Sequence, residues 1–288
     1  MQTLCSSGVR RRTPSLLRAS GTRVRINLRK TLFILPNLFT LSSIFCGFYA
    51  ILLSGGNPTP DEMYRASMLI IFAMFFDMVD GRVARLTRTQ SAFGVEIDSL
   101  ADVVSFGVAP GVLVYNWSLS ALGGLGVAAA FAYVACGAIR LARFNVLATD
   151  TSGRPKKPSK YILGLPIPGA AGVLVSLIAA NHAVDGQLAV RHGLVAAVMF
   201  SLSFFMVSTV KFRSFKDLRF SWRTAMLVMF AVSTGVIMSV KLHVTFALCW
   251  MLTSYVLIGL LETLLGLARR LGRKASREPS EETLNSGV

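Results

Sequence analysis

Four aspartates, Asp77, Asp80, Asp98 and Asp102, stand inside apolar stretches of this sequence. An ionised carboxylate at the centre of a membrane helix costs roughly 2.5–3.5 kcal/mol on insertion scales, and less near an interface. Asp77 and Asp80 are three residues apart and Asp98 and Asp102 four apart. On helices each pair therefore shares one face, with Cβ atoms about 5–6 Å apart. A short, Gly94-containing connection makes the two helices antiparallel neighbours. Two carboxylate pairs facing each other across such a hairpin form a hard, oxygen-rich site suited to Mg²⁺ or Mn²⁺. Ions held there would also grip a diphosphate. A lone Asp at a helix end is most often a cap or a partner for a nearby Arg, and Arg82, Arg85 and Arg88 are close. That reading accounts for one pair. Two pairs at one membrane depth point to function. Gly81, directly after Asp80, has no Cβ and lets a ligand approach the backbone.

The elements that must position these residues are membrane spans. Of the 288 residues 53% are hydrophobic and 15% charged, with a mean hydropathy of +0.59. Soluble domains carry roughly 25% charged residues. Eight apolar segments, at about 31–54, 63–81, 98–117, 121–145, 163–184, 192–210, 222–240 and 243–265, approach the roughly 20 residues that a bilayer requires. The expected fold is an all-α polytopic membrane protein with about eight transmembrane helices. Residues 31–265 form the transmembrane catalytic domain, 1–30 a basic N-terminal tail and 266–288 a polar tail expected to be disordered.

With both termini inside, the outer segments keep only Arg65, Arg191 and Lys241 of the 30 basic residues. This asymmetry sets both termini and the aspartates at the cytoplasmic face. A multi-pass protein of a bacterial inner membrane is the expected setting. An acid-free start containing Arg and Ser is also compatible with an organellar transit peptide. The net charge of +16 is a topology signal assisted by anionic lipid headgroups, and nucleic acid is not needed to explain it. Cys5, Cys46, Cys136 and Cys249 form no CxxC pair, so they are read as buried small hydrophobes. His182, His192 and His243 are unclustered and read as bystanders.

Taken together, Asp77-x-x-Asp80-Gly81-x-x-Ala84-Arg85, then Gly94-x-x-x-Asp98-x-x-x-Asp102, resembles the signature of the CDP-alcohol phosphotransferase family. All eight specified positions over 26 residues are matched. The resemblance implies six core transmembrane helices, a homodimer and a two-ion site reached from the cytoplasm; two further helices would be additions. Residues 35–40 (LPNLFT), 99–110 (SLADVVSFGVAP), 140–145 (RLARFN) and 164–168 (GLPIP) resemble the phosphatidylserine synthase branch. Relatives using glycerophosphate typically follow the third aspartate with Pro and the fourth with Lys, where Ser99 and Val103 stand here. The likeness spans roughly residues 31–175.

Carried over by position, the resemblance implies that Asp77, Asp80, Asp98 and Asp102 bind metal and that Asp102 also accepts a proton. Gly81, Arg85 and Ser91 match positions that contact the CDP-lipid. The substrates implied are CDP-diacylglycerol and L-serine, in a membrane of lipid. The carboxylate of serine needs a cation or a helix N-terminus. Arg140 and Arg143 are candidates, as are the backbone amides of residues 164–168, while both arginines also fit headgroup anchoring. Two rivals stay open. One keeps the chemistry and changes the acceptor to glycerol 3-phosphate or an inositol-type alcohol. The other is a cation or proton transporter, although transporters usually hold their acids near the midplane between broken helices.

Overall fold

The computed structural model describes residues 28–87, 89, 91–148, 161–184, 188–208 and 211–213, and beyond them only Ser233, Thr234, Trp250, Thr253 and Ser254. Seven α-helices lie among the described residues: α1 (Leu28–Ser54), α2 (Pro60–Leu86), α3 (Ala92–Asp102), α4 (Ala109–Trp117), α5 (Gly124–Ala148), α6 (Ile167–Ala183) and α7 (His192–Val207). A π-helical turn, Val103–Val108, joins α3 to α4, so Ala92–Trp117 runs as one span. Three stretches are long and apolar enough to cross a membrane, Leu35–Ser54, Ala92–Trp117 and Gly124–Leu147; α6 and α7 are shorter and apolar.

The described residues are helical as expected, with one short strand pair in addition. Tyr161–Leu163 (β1) pairs antiparallel with Lys211–Arg213 (β2), with Ile162 opposite Phe212. Gly164, at φ +79°, then turns the chain, and a Cβ there would collide with the Met206 carbonyl. Glycine is the residue that tolerates this conformation. The fifth span consequently becomes helical only at Ile167, later than 163. Of the seventh and eighth expected spans only a few residues are described, and the Trp250 indole donates to the Thr234 hydroxyl at 2.8 Å, linking one segment to the other. The tails expected at 1–30 and 266–288 lie outside the described residues, except that α1 already begins at Leu28.

The layout follows from which faces are apolar all round. Helix α6 is the axis, with Ala170–Ser176 and Ile178–Ala180 buried. It is built largely of Ala, Gly and Val, which let neighbouring backbones approach. Ile167 at its start fills the space left by Gly107 and Gly137. The outer helices are two-sided. On α1, Leu38, Leu41, Phe45, Phe48 and Leu52 are exposed, as are Phe72 and Phe75 on α2 and Phe131 and Ile139 on α5. Spaced three or four apart on α1 and α2 and eight apart on α5, they form the outward stripe expected of helices bathed in lipid. The opposite stripe of α1 is small and polar: Asn37, Thr40, Ser43 and Gly47 recur at one-turn intervals. Ser105 on the π turn donates to the Ser43 carbonyl at 3.0 Å, and a Cβ on Gly47 would come within 2.8 Å of the Ser105 Cα. Tyr133 of α5 holds the turn from the other side, donating to the Phe106 carbonyl at 3.0 Å. The segment following Asp102 is thus clamped between α1 and α5.

Candidate active site and metal centre

Helix α2 starts with Thr59, whose side chain accepts from the Glu62 amide while Glu62 reaches back to the Thr59 amide. Such a capping box fixes where the helix begins, and therefore where Asp77 and Asp80 arrive about five to six turns later. Helix α3 is fixed by a simpler N-cap, Ser91, whose Oγ accepts from Gly94 N at 3.0 Å. The helices run antiparallel, so the aspartates meet in the expected pairing. One carboxylate oxygen from each of Asp77, Asp80 and Asp98 lies within 4.8 Å of the others. Asp102 stands slightly apart from this trio. Its carboxyl lies against Asp77, and its Oδ1 is buried with no hydrogen-bond partner. Asp80 is only 4% exposed, and Thr40 of α1 donates to its Oδ2 at 2.7 Å.

Three hard oxygen donors this close repel one another in a low-dielectric setting, and no protein cation is hydrogen-bonded to them among the described residues. The donor set fits Mg²⁺ or Mn²⁺. The orphaned Asp102 oxygen is a second sign that the protein alone does not complete the site, since buried carboxylate oxygens are nearly always paired.

The remaining expected residues surround this cluster unequally. Arg85 is exposed, and its Nε donates to the Gly81 carbonyl at 2.7 Å. A Cβ added at Gly81 would meet only an Arg85 nitrogen, at 3.8 Å, so the flank of α2 beside the carboxylates is open. Ser91 serves as the α3 cap. Arg140 is 7% exposed, lies 5.6 Å over the Phe144 ring and places its charge near Asp102. Arg143 faces another way: it donates to the Val207 carbonyl at 2.7 Å and to the Ser208 carbonyl at 3.1 Å. It thereby satisfies the C-terminus of α7, where a cation is favoured. Of the amides at 164–168 considered for an anion, that of Leu165 is taken by the Phe205 carbonyl at 3.0 Å.

Thr40 was not assigned a role from the sequence. Its signal was available in the small polar stripe of α1, because polar residues spaced one turn apart in an apolar helix mark a helix–helix contact. Asn145, which donates to the Ser99 hydroxyl at 2.9 Å and ties α5 to α3, belongs with it. The reading of the histidines as bystanders left out a specific contact. His182 pairs with Asp61 at 2.9 Å and stacks on Tyr64 with centroids 4.8 Å apart, at the end of the bundle remote from the aspartates. Cys46 is buried and Cys136 half-buried, with both thiols free.

A membrane-embedded helical bundle with clustered aspartates on two adjacent helices defines a class, and the sequence comparison gives it a name. Residues 33–207 match the CDP-alcohol phosphatidyltransferase family model, and the chain belongs to that family. The protein is 38% identical over 205 residues to the CDP-diacylglycerol–serine O-phosphatidyltransferase of Helicobacter pylori strain 26695, covering 70% of this chain and 81% of the relative. Proteins of the same name from Bacillus subtilis and Methanocaldococcus jannaschii are 34% and 33% identical, over 63% and 81% of this chain and 91% and 96% of theirs. The resemblance to the family and to its serine-using branch is met by these matches.

Proposed function

We propose that this protein transfers a phosphatidyl group from CDP-diacylglycerol to L-serine, releasing CMP. The observation that carries the reading is the convergence of Asp77, Asp80 and Asp98 beside the unpartnered, buried oxygen of Asp102. The names of the three relatives support serine as the acceptor.

Asp77, Asp80 and Asp98 would hold two Mg²⁺ or Mn²⁺ ions, with Asp102 completing the set. When bound, such ions neutralise the charge of a diphosphate and stabilise the charge that builds on the transferred phosphoryl group. Arg85 adds a fixed positive charge at the open flank beside Gly81, where the cytidine diphosphate portion enters. Ser91 keeps α3 in register at the same edge. The serine hydroxyl oxygen attacks the lipid-bearing phosphorus, its bond to the CMP oxygen breaks, and that electron pair leaves with CMP. Asp102 takes the hydroxyl proton as the new bond forms. The Asp102 oxygen that lacks a protein partner is the natural acceptor. Arg140, buried beside Asp102, faces the serine carboxylate; Arg143, directed at the α7 carbonyls, shapes that pocket by holding α7 in place.

The protein works in the plasma membrane of a bacterium as a homodimer, with both termini and the site at the cytoplasmic face. The basic bias of the inner segments supports the orientation, and the family resemblance supports the dimer.

The experiment is an acceptor panel. Purified protein in mixed micelles of detergent and CDP-diacylglycerol, with Mn²⁺, is offered labelled serine, glycerol 3-phosphate or inositol. Label is expected in chloroform-soluble lipid with serine alone. Label from another acceptor, with none from serine, would keep the chemistry and discard the serine assignment.

A further inference from the structure

We propose that Thr40 is a positioning residue for the metal-binding carboxylates, acting through Asp80. This inference rests on the cation-binding reading above. Its geometry is independent of that reading. The Thr40 hydroxyl has one proton and two acceptors in reach, the Pro36 carbonyl at 3.2 Å and Asp80 Oδ2 at 2.7 Å. The shorter contact goes to the carboxylate, where a charge-assisted bond is also the stronger one. Both residues are nearly sealed from solvent, at 4% exposure each, so water does not substitute for the bond.

An aspartate carboxylate otherwise turns easily, because its terminal torsion is broad and roughly two-fold. A donor on Oδ2 sets the carboxylate plane relative to Asp77 and Asp98. The donor is itself fixed. Thr40 lies on the stripe of α1 that includes Ser43 and Gly47, where α1 meets the π turn after Asp102 backbone to side chain. Through Thr40 and Ser43 a single helix face therefore touches both halves of the cluster, Asp80 on α2 and the chain immediately following Asp102. Side chains that orient metal ligands in this manner typically change metal affinity or activity about 10–100-fold when removed.

The test is a Mn²⁺ titration of the purified, detergent-solubilised full chain, with free ion read by electron paramagnetic resonance. Thr40→Val keeps the branched shape and deletes the donor, Thr40→Ala deletes donor and bulk, and Thr40→Ser keeps the donor. Both donor deletions are expected to weaken Mn²⁺ binding about 10–100-fold, with Thr40→Ser close to the parent. Parental affinity in Thr40→Val would overturn the inference, as would an equal loss in Thr40→Ser, which would assign the effect to packing. Failure of both donor deletions to elute as folded protein would also overturn it, by making the hydroxyl a folding determinant. A parent protein that binds no Mn²⁺ would instead remove the cation-binding reading itself.

Discussion

The two ends of α2 carry acids of opposite character. At one end Asp61 and Glu62 are fully occupied: Asp61 pairs with His182 at 2.9 Å and Glu62 closes the capping box with Thr59. The neighbouring loops are equally well supplied, with Asn116 donating to the Ser54 carbonyl at 2.8 Å and Ser118 to the Ala189 carbonyl at 2.7 Å. Five turns away, Asp77 and Asp80 have like charges for company, and Thr40 donates to Asp80 at 2.7 Å. A helix able to satisfy its acids at one end leaves them crowded at the other. Stability explains the first arrangement; a ligand explains the second.

The contrast breaks most visibly at the crowded end. Asp98→Asn should abolish Mn²⁺ binding and lower turnover by about 10⁴-fold or more, the several kcal/mol that a bound cation supplies. The same substitution should raise the melting temperature of chelator-treated protein, because it removes a repulsive charge. Each kcal/mol relieved is worth about 2–4 °C in a protein of this size class. Opposite signs for activity and stability are the mark of a binding site, and a fall in both would class Asp98 with the structural acids.

Asp102→Asn should lower turnover by about 10²–10⁴-fold, the usual worth of a general base. Measured Mn²⁺ affinity should fall far less than in Asp98→Asn, since Asp102 stands outside the close trio. Arg140→Gln comes next, with the KM for serine rising about 10–100-fold, as loss of a charged hydrogen bond of 1.5–3 kcal/mol would give. The KM for the CDP-lipid should hold steady, and an equal rise in both would argue against a serine pocket.

The smallest effects belong to the well-paired end. Asp61→Asn should leave turnover unchanged and cost at most about 1 kcal/mol, because exposed ion pairs contribute little. Thr59→Ala should cost about 1 kcal/mol of stability through the lost cap, read by thermal melting. The Thr59 amide and hydroxyl hold the Glu62 carboxyl below its ordinary value of 4.5. A depressed folded-state value means that the contribution is complete above about pH 4.5 and is lost as the pH falls through the folded value. In Thr59→Ala that acid dependence should shrink, and an unchanged profile would remove Glu62 from the cap.

The sequence announces the crowded end far more clearly than its surroundings. Carboxylates in apolar runs at three- and four-residue spacing admit few readings, and the antiparallel hairpin follows from the short Gly94 connection. The same residues hide α2 from a test based on apolar length, since Asp77, Asp80 and the flanking Arg65 and Arg82 interrupt it. Thr40 and the π turn were harder to read. A threonine in an apolar helix has no signal of its own until a partner 40 residues away is known, and a π turn is set by packing against Ser43, Gly47 and Tyr133. Arg143 shows the reverse difficulty. Two arginines three residues apart look alike in sequence, yet one is buried beside Asp102 and the other serves the end of α7.

The most direct test of the carboxylate cluster is CMP release from CDP-diacylglycerol and serine by chelator-treated protein, followed as Mn²⁺ is added back. The account predicts no release before addition, recovery with Mn²⁺, and none from Asp98→Asn at any concentration of the ion. Release at the full rate without divalent cation, or from Asp98→Asn, would contradict it.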